Sequence, residues 1–238
     1  MKARGWVLLV VGAVAVGLLS GCSGQAGSEA ESGLNVIDDL ATPGEAGPAT
    51  EADVAGVADD GTTRMEASGL ATARAPVSLG ELTAEEAAGL VFMRAEEKLA
   101  HDLYTAWFAA WGMVVFENIA DSEVTHTAAV QTLLEQYGLE DPAAASAPGE
   151  FPHPALQALY DQLLPEGRRS LADALRVGAA VAEIDLLDPE ERSAQTDKLD
   201  ILTLYESLAI GSRNHLRSFV SVLERQTSAA YQAAQILC

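Results

Sequence analysis

The chain has 238 residues, 49% of them hydrophobic, and a formal charge of −21. That length and apolar content suffice for one well-buried domain plus appendages. The acidic balance repels nucleic acid and anionic headgroups, which excludes nucleic acid as a partner, and two cysteines cannot build a disulfide framework.

Residues 1–22 have the layout of a bacterial lipoprotein signal peptide. Lys2 and Arg4 precede an apolar stretch from Trp6 to Leu19, too short to span a bilayer comfortably. It ends in Leu19-Ser20-Gly21-Cys22, which resembles a lipobox. The resemblance implies lipidation of Cys22, an extracytoplasmic location and a membrane anchor at the mature N-terminus. Two acyl signals on one cysteine are enough for stable anchoring. The competing reading is an ordinary secretory signal or a signal anchor. From residue 23 to 78, Gly, Ala, Ser, Thr, Pro and acidic residues dominate, and aromatics are absent. Such a composition buries too little surface to offset ordering entropy, so a disordered tether is expected.

The folded domain is expected over 79–226, with 227–238 as a C-terminal extension. Thr83-Ala84-Glu85-Glu86 is a capping-box pattern that starts a first helix, and Gly112 stops it after Trp111. Its inner stripe is Met93, Glu97, Ala100, Tyr104, Trp107 and Trp111, which puts Glu97 at a core position. The competing role for Glu97 is an edge salt bridge with Arg94 or Lys98. Glu96, about 100° round the helix, is expected on the solvated edge, as are Asp121 and the Glu190-Glu191 pair. His101 falls off the stripe and His153 lies between two prolines, so neither is a candidate ligand.

A second helix, from about Val115 to Tyr137, has the stripe Phe116, Ile119, Glu123, His126, Val130, Leu133 and Tyr137. Its steps of three and four define an inward face, so Glu123 and His126 enter the core one turn apart. A charge there needs compensation. A long crossover follows, with a short helix over 155–164 closed by Pro165 and Gly167. The third helix starts at Ser170 and is expected to reach Leu187, before Asp188-Pro189. Glu183 and Asp185 both offer a carboxylate there, and spacing does not separate them. Small residues along this helix allow a close neighbour, including a second copy in a homodimer. The fourth helix runs from Asp197–Asp200 to about Gln226, with Ser212 and His215 on its inner stripe.

The set Glu97, Glu123 with His126, Glu183 or Asp185, and Ser212 with His215 resembles the ferritin-like superfamily. In that layout two helices each give a Glu and two give Glu-x-x-His. Glu97, Ala100 and Tyr104 also match the ferritin and rubrerythrin-like pattern of Glu, a small residue and Tyr. Three stretches are similar to the bacterial domain-of-unknown-function family 2202: 92–100 (FMRAEEKLA), 171–179 (LADALRVGA) and 211–216 (GSRNHL). The resemblance implies an all-α, ferritin-like four-helix bundle with a long crossover. It implies a metal centre held by Glu97, Glu123, His126, Glu183 and His215, with Tyr104, Ser212 and Asp185 around it. An oxygen- and nitrogen-rich set suits iron or manganese, with zinc as a third candidate. Ser212 departs from the pattern, standing where the last carboxylate is expected. Two functions follow as expectations. One is an envelope lipoprotein with a metal site and oxidase or peroxide-related chemistry. The other is a non-enzymatic surface scaffold that keeps a degenerate site.

Overall fold

The computed structural model describes residues 55–57, 63–65, 80–227 and 230–233. The expected signal peptide with its lipobox Cys22, most of the expected tether and the last five residues lie outside the described residues. Where only tether was expected, β1 (Ala55–Val57) and β2 (Thr63–Met65) form an antiparallel hairpin, with Gly56 opposite Arg64. The intervening sequence holds Asp60-Gly61, a strong hairpin signal that an argument from average composition overlooks.

The described domain is otherwise helical, with five helices: α1 (Ala84–Trp111), α2 (Val114–Gln136), α3 (Pro154–Gly167), α4 (Leu171–Ser193) and α5 (Leu199–Thr227). None of them is long and apolar enough to cross a membrane. At the start of α1 both halves of the capping box form. The Glu86 amide donates to Thr83 Oγ1 at 3.1 Å, and the Thr83 amide donates to Glu86 Oε2 at 2.8 Å. Thr196 Oγ1 donates to the other Glu86 oxygen at 2.6 Å, so the α4–α5 connection is tied to the same cap. At the far end Gly112 takes φ 62°, a left-handed conformation glycine adopts without strain, and the chain turns straight back into α2.

Helix α1 lies against both α2 and α4, and α5 against both α4 and α2, so the four long helices close into a ring. Helix α3 packs on α1 and α4. The long connection before it is pinned to α1 by buried charge. Arg94 Nε donates to Asp141 Oδ2 at 3.0 Å, and Asp102 accepts from the Gly149 amide at 2.8 Å. Trp111 Nε1 reaches the Gly167 carbonyl at 3.0 Å, fixing the end of α3.

Two prolines fail to stop their helices where the sequence suggests. Helix α3 continues three residues past Leu164 with Pro165 inside it, and α4 continues to Ser193 with a buried Pro189. A proline forfeits one backbone hydrogen bond, and packing of the following turn compensates that loss. In α4 the extra turns place the Arg192 guanidinium over the Phe92 ring at 4.5 Å. They also put Asp185 and Asp188 well inside the helix rather than at its frayed end.

The apolar core is in two parts. One gathers Leu103, Trp107, Phe116, Leu175 and Phe219, and the other gathers Leu90, Met93, Val130, Leu133 and Leu204. In α1, α2 and α5 the polar candidates fall at the boundary between them. The ring of helices therefore holds a polar layer between two greasy ends.

Candidate metal centre

Every long helix contributes to that layer. Glu97 from α1, Glu123 and His126 from α2, Asp185 from α4, and His215 with Ser212 from α5 are all at most 2% exposed. On α2 the three-residue spacing sets Glu123 Oε2 2.7 Å from His126 Nδ1. Across the helix pairs, Glu97 Oε2 is 3.2 Å from the same nitrogen, and Glu123 Oε1 is 3.0 Å from His215 Nδ1. Glu123 thus bridges the two imidazoles, whose rings stack at 5.2 Å with 27° between their planes. His215 Nε2 sits 3.1 Å from Ser122 Oγ, which orients its ring. One ligand atom each from Glu123, His126 and His215 lies within 4.8 Å of the others, a spacing that one ion could bridge.

Several polar atoms in the layer lack a hydrogen bond: Glu97 Oε1, His126 Nε2 and both carboxyl oxygens of Asp185. Buried polar atoms are nearly always paired, so each of these atoms calls for a donor or a cation that the protein's own side chains do not supply. Charge is unbalanced as well. Arg94 and Lys98, the nearest cations on α1, pair with Asp141 and Asp102 instead.

Burial pushes the Glu97 carboxyl up to about 7, helped by Glu123 and opposed by His126. Burial alone would also raise Glu123, but the imidazoles of His215 and His126 hold it well below the usual carboxylate range. For His126 burial acts downward, yet the carboxylates of Glu123 and Glu97 lift it to about 10. Asp185 is raised well above the usual range, by burial first and then by Glu123 and Glu97.

The sequence-predicted residues fare unequally. Glu97, Glu123, His126 and His215 come together, whereas Glu183 is half-buried and Asp185 is the acid that α4 sends into the layer. The periodicity of α4 could have separated them, because Ala174, Gly178, Val181, Asp185 and Pro189 form its buried stripe. Glu96 corrects the expectation of a solvated edge, since it is 2% exposed. With α2 on one side of α1 and α4 on the other, all of residues 93–97 are buried, and 100° of rotation does not reach water. Tyr104 is buried, but its hydroxyl donates to the Gly178 carbonyl at 3.4 Å rather than to a carboxylate. Ser212 donates to the Leu208 carbonyl of its own helix at 3.0 Å. Ser122 was missed, although it follows Ile119 by three and so shares the margin of the α2 stripe. His101 keeps its place at the margin, with Nδ1 3.1 Å from Asp102 Oδ1.

A family model described as "Uncharacterized protein domain (DUF2202)" matches residues 86–237. An uncharacterized protein of Methanocaldococcus jannaschii, MJ0754, is 44% identical over 147 residues, which is 62% of this chain and 80% of that one. A crystal structure of hypothetical protein MJ0754 from Methanococcus jannaschii superposes with a TM-score of 0.64. It is 40% identical and covers 66% of this chain and 90% of that one.

The raised groups set how stability depends on pH when metal is withheld. Glu97, raised from 4.5 to about 7, is protonated in the folded chain while the unfolded chain has released its proton. His126, raised from 6.5 to about 10, stabilises the fold fully below 6.5 and loses that contribution as pH rises through 10. In both windows the folded chain binds more protons, so stability falls with rising pH. Chelator-treated protein should therefore melt at progressively lower temperature from pH 5 to pH 9. Glu97→Gln should flatten the part of that slope below pH 7, and a melting temperature that climbs over the range would contradict the assignment.

Proposed function

The chain belongs to the DUF2202 domain family, and from that premise we propose that it is a metal-binding protein built on a ferritin-like four-helix bundle. Helices α1, α2, α4 and α5 are the bundle and α3 rides in its crossover. The observation that carries the reading is the buried Glu123–His126–His215 group within 4.8 Å, surrounded by carboxyl oxygens that no protein donor satisfies.

These residues fit iron or manganese, with zinc as a third choice, because oxygen and imidazole donors suit all three. Glu123, His126 and His215 would hold the ion, with Glu97 and Asp185 offering further carboxylates. Iron or manganese there would supply redox chemistry toward oxygen or peroxide. The protein's own part is physical. Ser122 holds the His215 ring, the kind of outer support that fixes a ligand's orientation. The two apolar clusters keep bulk water from both ends of the layer. Ser212, committed to its own backbone, leaves the α5 half of the layer one carboxylate short of the α2 half.

That shortfall also supports a second reading, in which the bundle is a non-enzymatic scaffold for a protein partner. The contacts of Glu97 and Glu123 with His126 then stand as internal ion pairs that need no metal. Metal content decides between them. The purified full chain, loaded with Fe²⁺ or Mn²⁺ without oxygen, should retain one to two equivalents and melt higher than the chelated form. Glu123→Ala and His126→Ala should lose most of that metal, and unchanged retention in both variants would place the metal elsewhere.

The leader is part of the same proposal. We read Cys22 as the lipid-bearing N-terminus of an extracytoplasmic, membrane-anchored protein, on the strength of Leu19-Ser20-Gly21-Cys22 after an apolar stretch. Cys22→Ser should move the protein from the membrane pellet to the soluble or secreted fraction. Equal membrane retention of that variant would count against lipidation.

A further inference from the structure

Between α2 and α5 the wall of the helix ring is thin. These two helices pack on each other far less extensively than α1 on α2 or α4 on α5. On α5, Asp200, Ser207 and Asn214 recur every seven residues and so share one flank, and all three are buried. Asp200 shows which way that flank faces, because Tyr137, at the end of α2, donates to it at 2.7 Å. The matching flank of α2 carries Ser122 and Ala129, also buried and seven apart. Ser122 belongs at once to this seam and to the imidazole centre, since its hydroxyl meets His215 Nε2 at 3.1 Å.

Short side chains along a loosely packed seam leave room for water, yet Ser207 is only 1% and Asn214 only 4% exposed. Asn214 Nδ2 is buried there without a hydrogen bond. Something outside the two helices must cover the seam, and the β1–β2 hairpin is placed to do so. Strand β1 lies against α5, and β2 lies against both α2 and α5. A two-stranded hairpin with three-residue strands is marginal on its own in water, so its order comes from the helices beneath it. Lifting it off is then a local opening that leaves the helices folded.

We propose that the β1–β2 hairpin is a detachable strap over the α2–α5 seam, closing the side of the imidazole centre next to Ser122 and His215. The two apolar clusters shut both ends of the layer, so the seam is the thin side that an ion or water crosses when the strap lifts. The strap precedes α1 in the chain, which makes the segment leading into the domain the one that controls access to its centre. The covering contact stands on packing alone, and its effect on metal exchange rests on the metal-binding reading.

Thiol accessibility tests the strap without any metal. In the full chain carrying Cys22→Ser and Cys238→Ser, the variant Ser207→Cys places a single thiol under the hairpin. It should react slowly with a maleimide, and about tenfold faster or more once residues 55–65 are replaced by a Gly/Ser stretch of equal length. Ala174→Cys, fully buried on α4 away from the seam, should stay protected in both chains. Equal rates for Ser207→Cys with and without the hairpin would overturn the proposal. An equal acceleration at Ala174→Cys would do the same, because it reports a general loosening. Metal release is read separately. Loaded with Fe²⁺ or Mn²⁺, the chain lacking the hairpin should yield its metal to a chelator about tenfold faster or more, at unchanged stoichiometry. An unchanged release rate would overturn the control of access, whereas a chain that binds no metal defeats the reading of the centre and leaves the thiol rates to decide the strap.

Discussion

Burying Glu96, Glu97, Glu123 and Asp185 with only His126 and His215 to face them is the constraint on which the rest of this domain depends. Four carboxyl groups and two imidazoles do not balance. In a low-dielectric core an uncompensated charge either takes a proton or takes a counter-ion. The raised groups at Glu97 and Asp185 and the lifted imidazole of His126 are the protonic solution. A divalent cation is the other solution, and the two compete for the same oxygens and nitrogens. An apolar layer of the same size would often stabilise the helices as well or better, since taking charges out of water can cost more than their pairing returns. That such a layer is kept argues that it serves something other than stability.

The surrounding architecture has the features needed to hold it. Apolar clusters above and below provide the burial energy that the polar layer lacks, roughly 1.5–3 kcal/mol for each large side chain fully removed from water. The crossover is clamped to α1 by Arg94, Lys98 and Asp102, and those pairings keep the nearest cations from neutralising the layer. The cap at Thr83 and Glu86 joins α1 to the α4–α5 connection through Thr196. Both helix pairs are therefore fixed at their ends, and the layer in the middle inherits its geometry from them.

Much of this was legible in the sequence. Helix starts at Thr83 and Ser170 and the stop at Gly112 follow from capping chemistry, and the inward register of Glu97, Glu123, His126 and His215 follows from steps of three and four. What periodicity could not supply was the width of the buried arc. Glu96 is hidden because two neighbours flank α1, a tertiary fact that a single-helix stripe cannot contain. Asp185 stays unseparated from Glu183 in the sequence because the stripe that singles it out runs on to Pro189, which reads as a helix end but is packed inside one. Ser122 and Ser212 lie on or beside inward stripes, and only the packing of the helices decides that the first faces His215 while the second bonds its own backbone. The β1–β2 hairpin was lost in a compositional average that its Asp60-Gly61 contradicts.

Family membership fixes relatives for this domain, and the chemistry must come from its own residues. The central claim is that both imidazoles belong to one metal centre. It is tested most directly by X-ray absorption spectroscopy of the full chain carrying one equivalent or less of iron or manganese. The account predicts a nitrogen and oxygen shell with outer-shell scattering from two imidazole rings, reduced to one ring in His215→Ala. An all-oxygen shell without imidazole scattering, unchanged by that substitution, would contradict it.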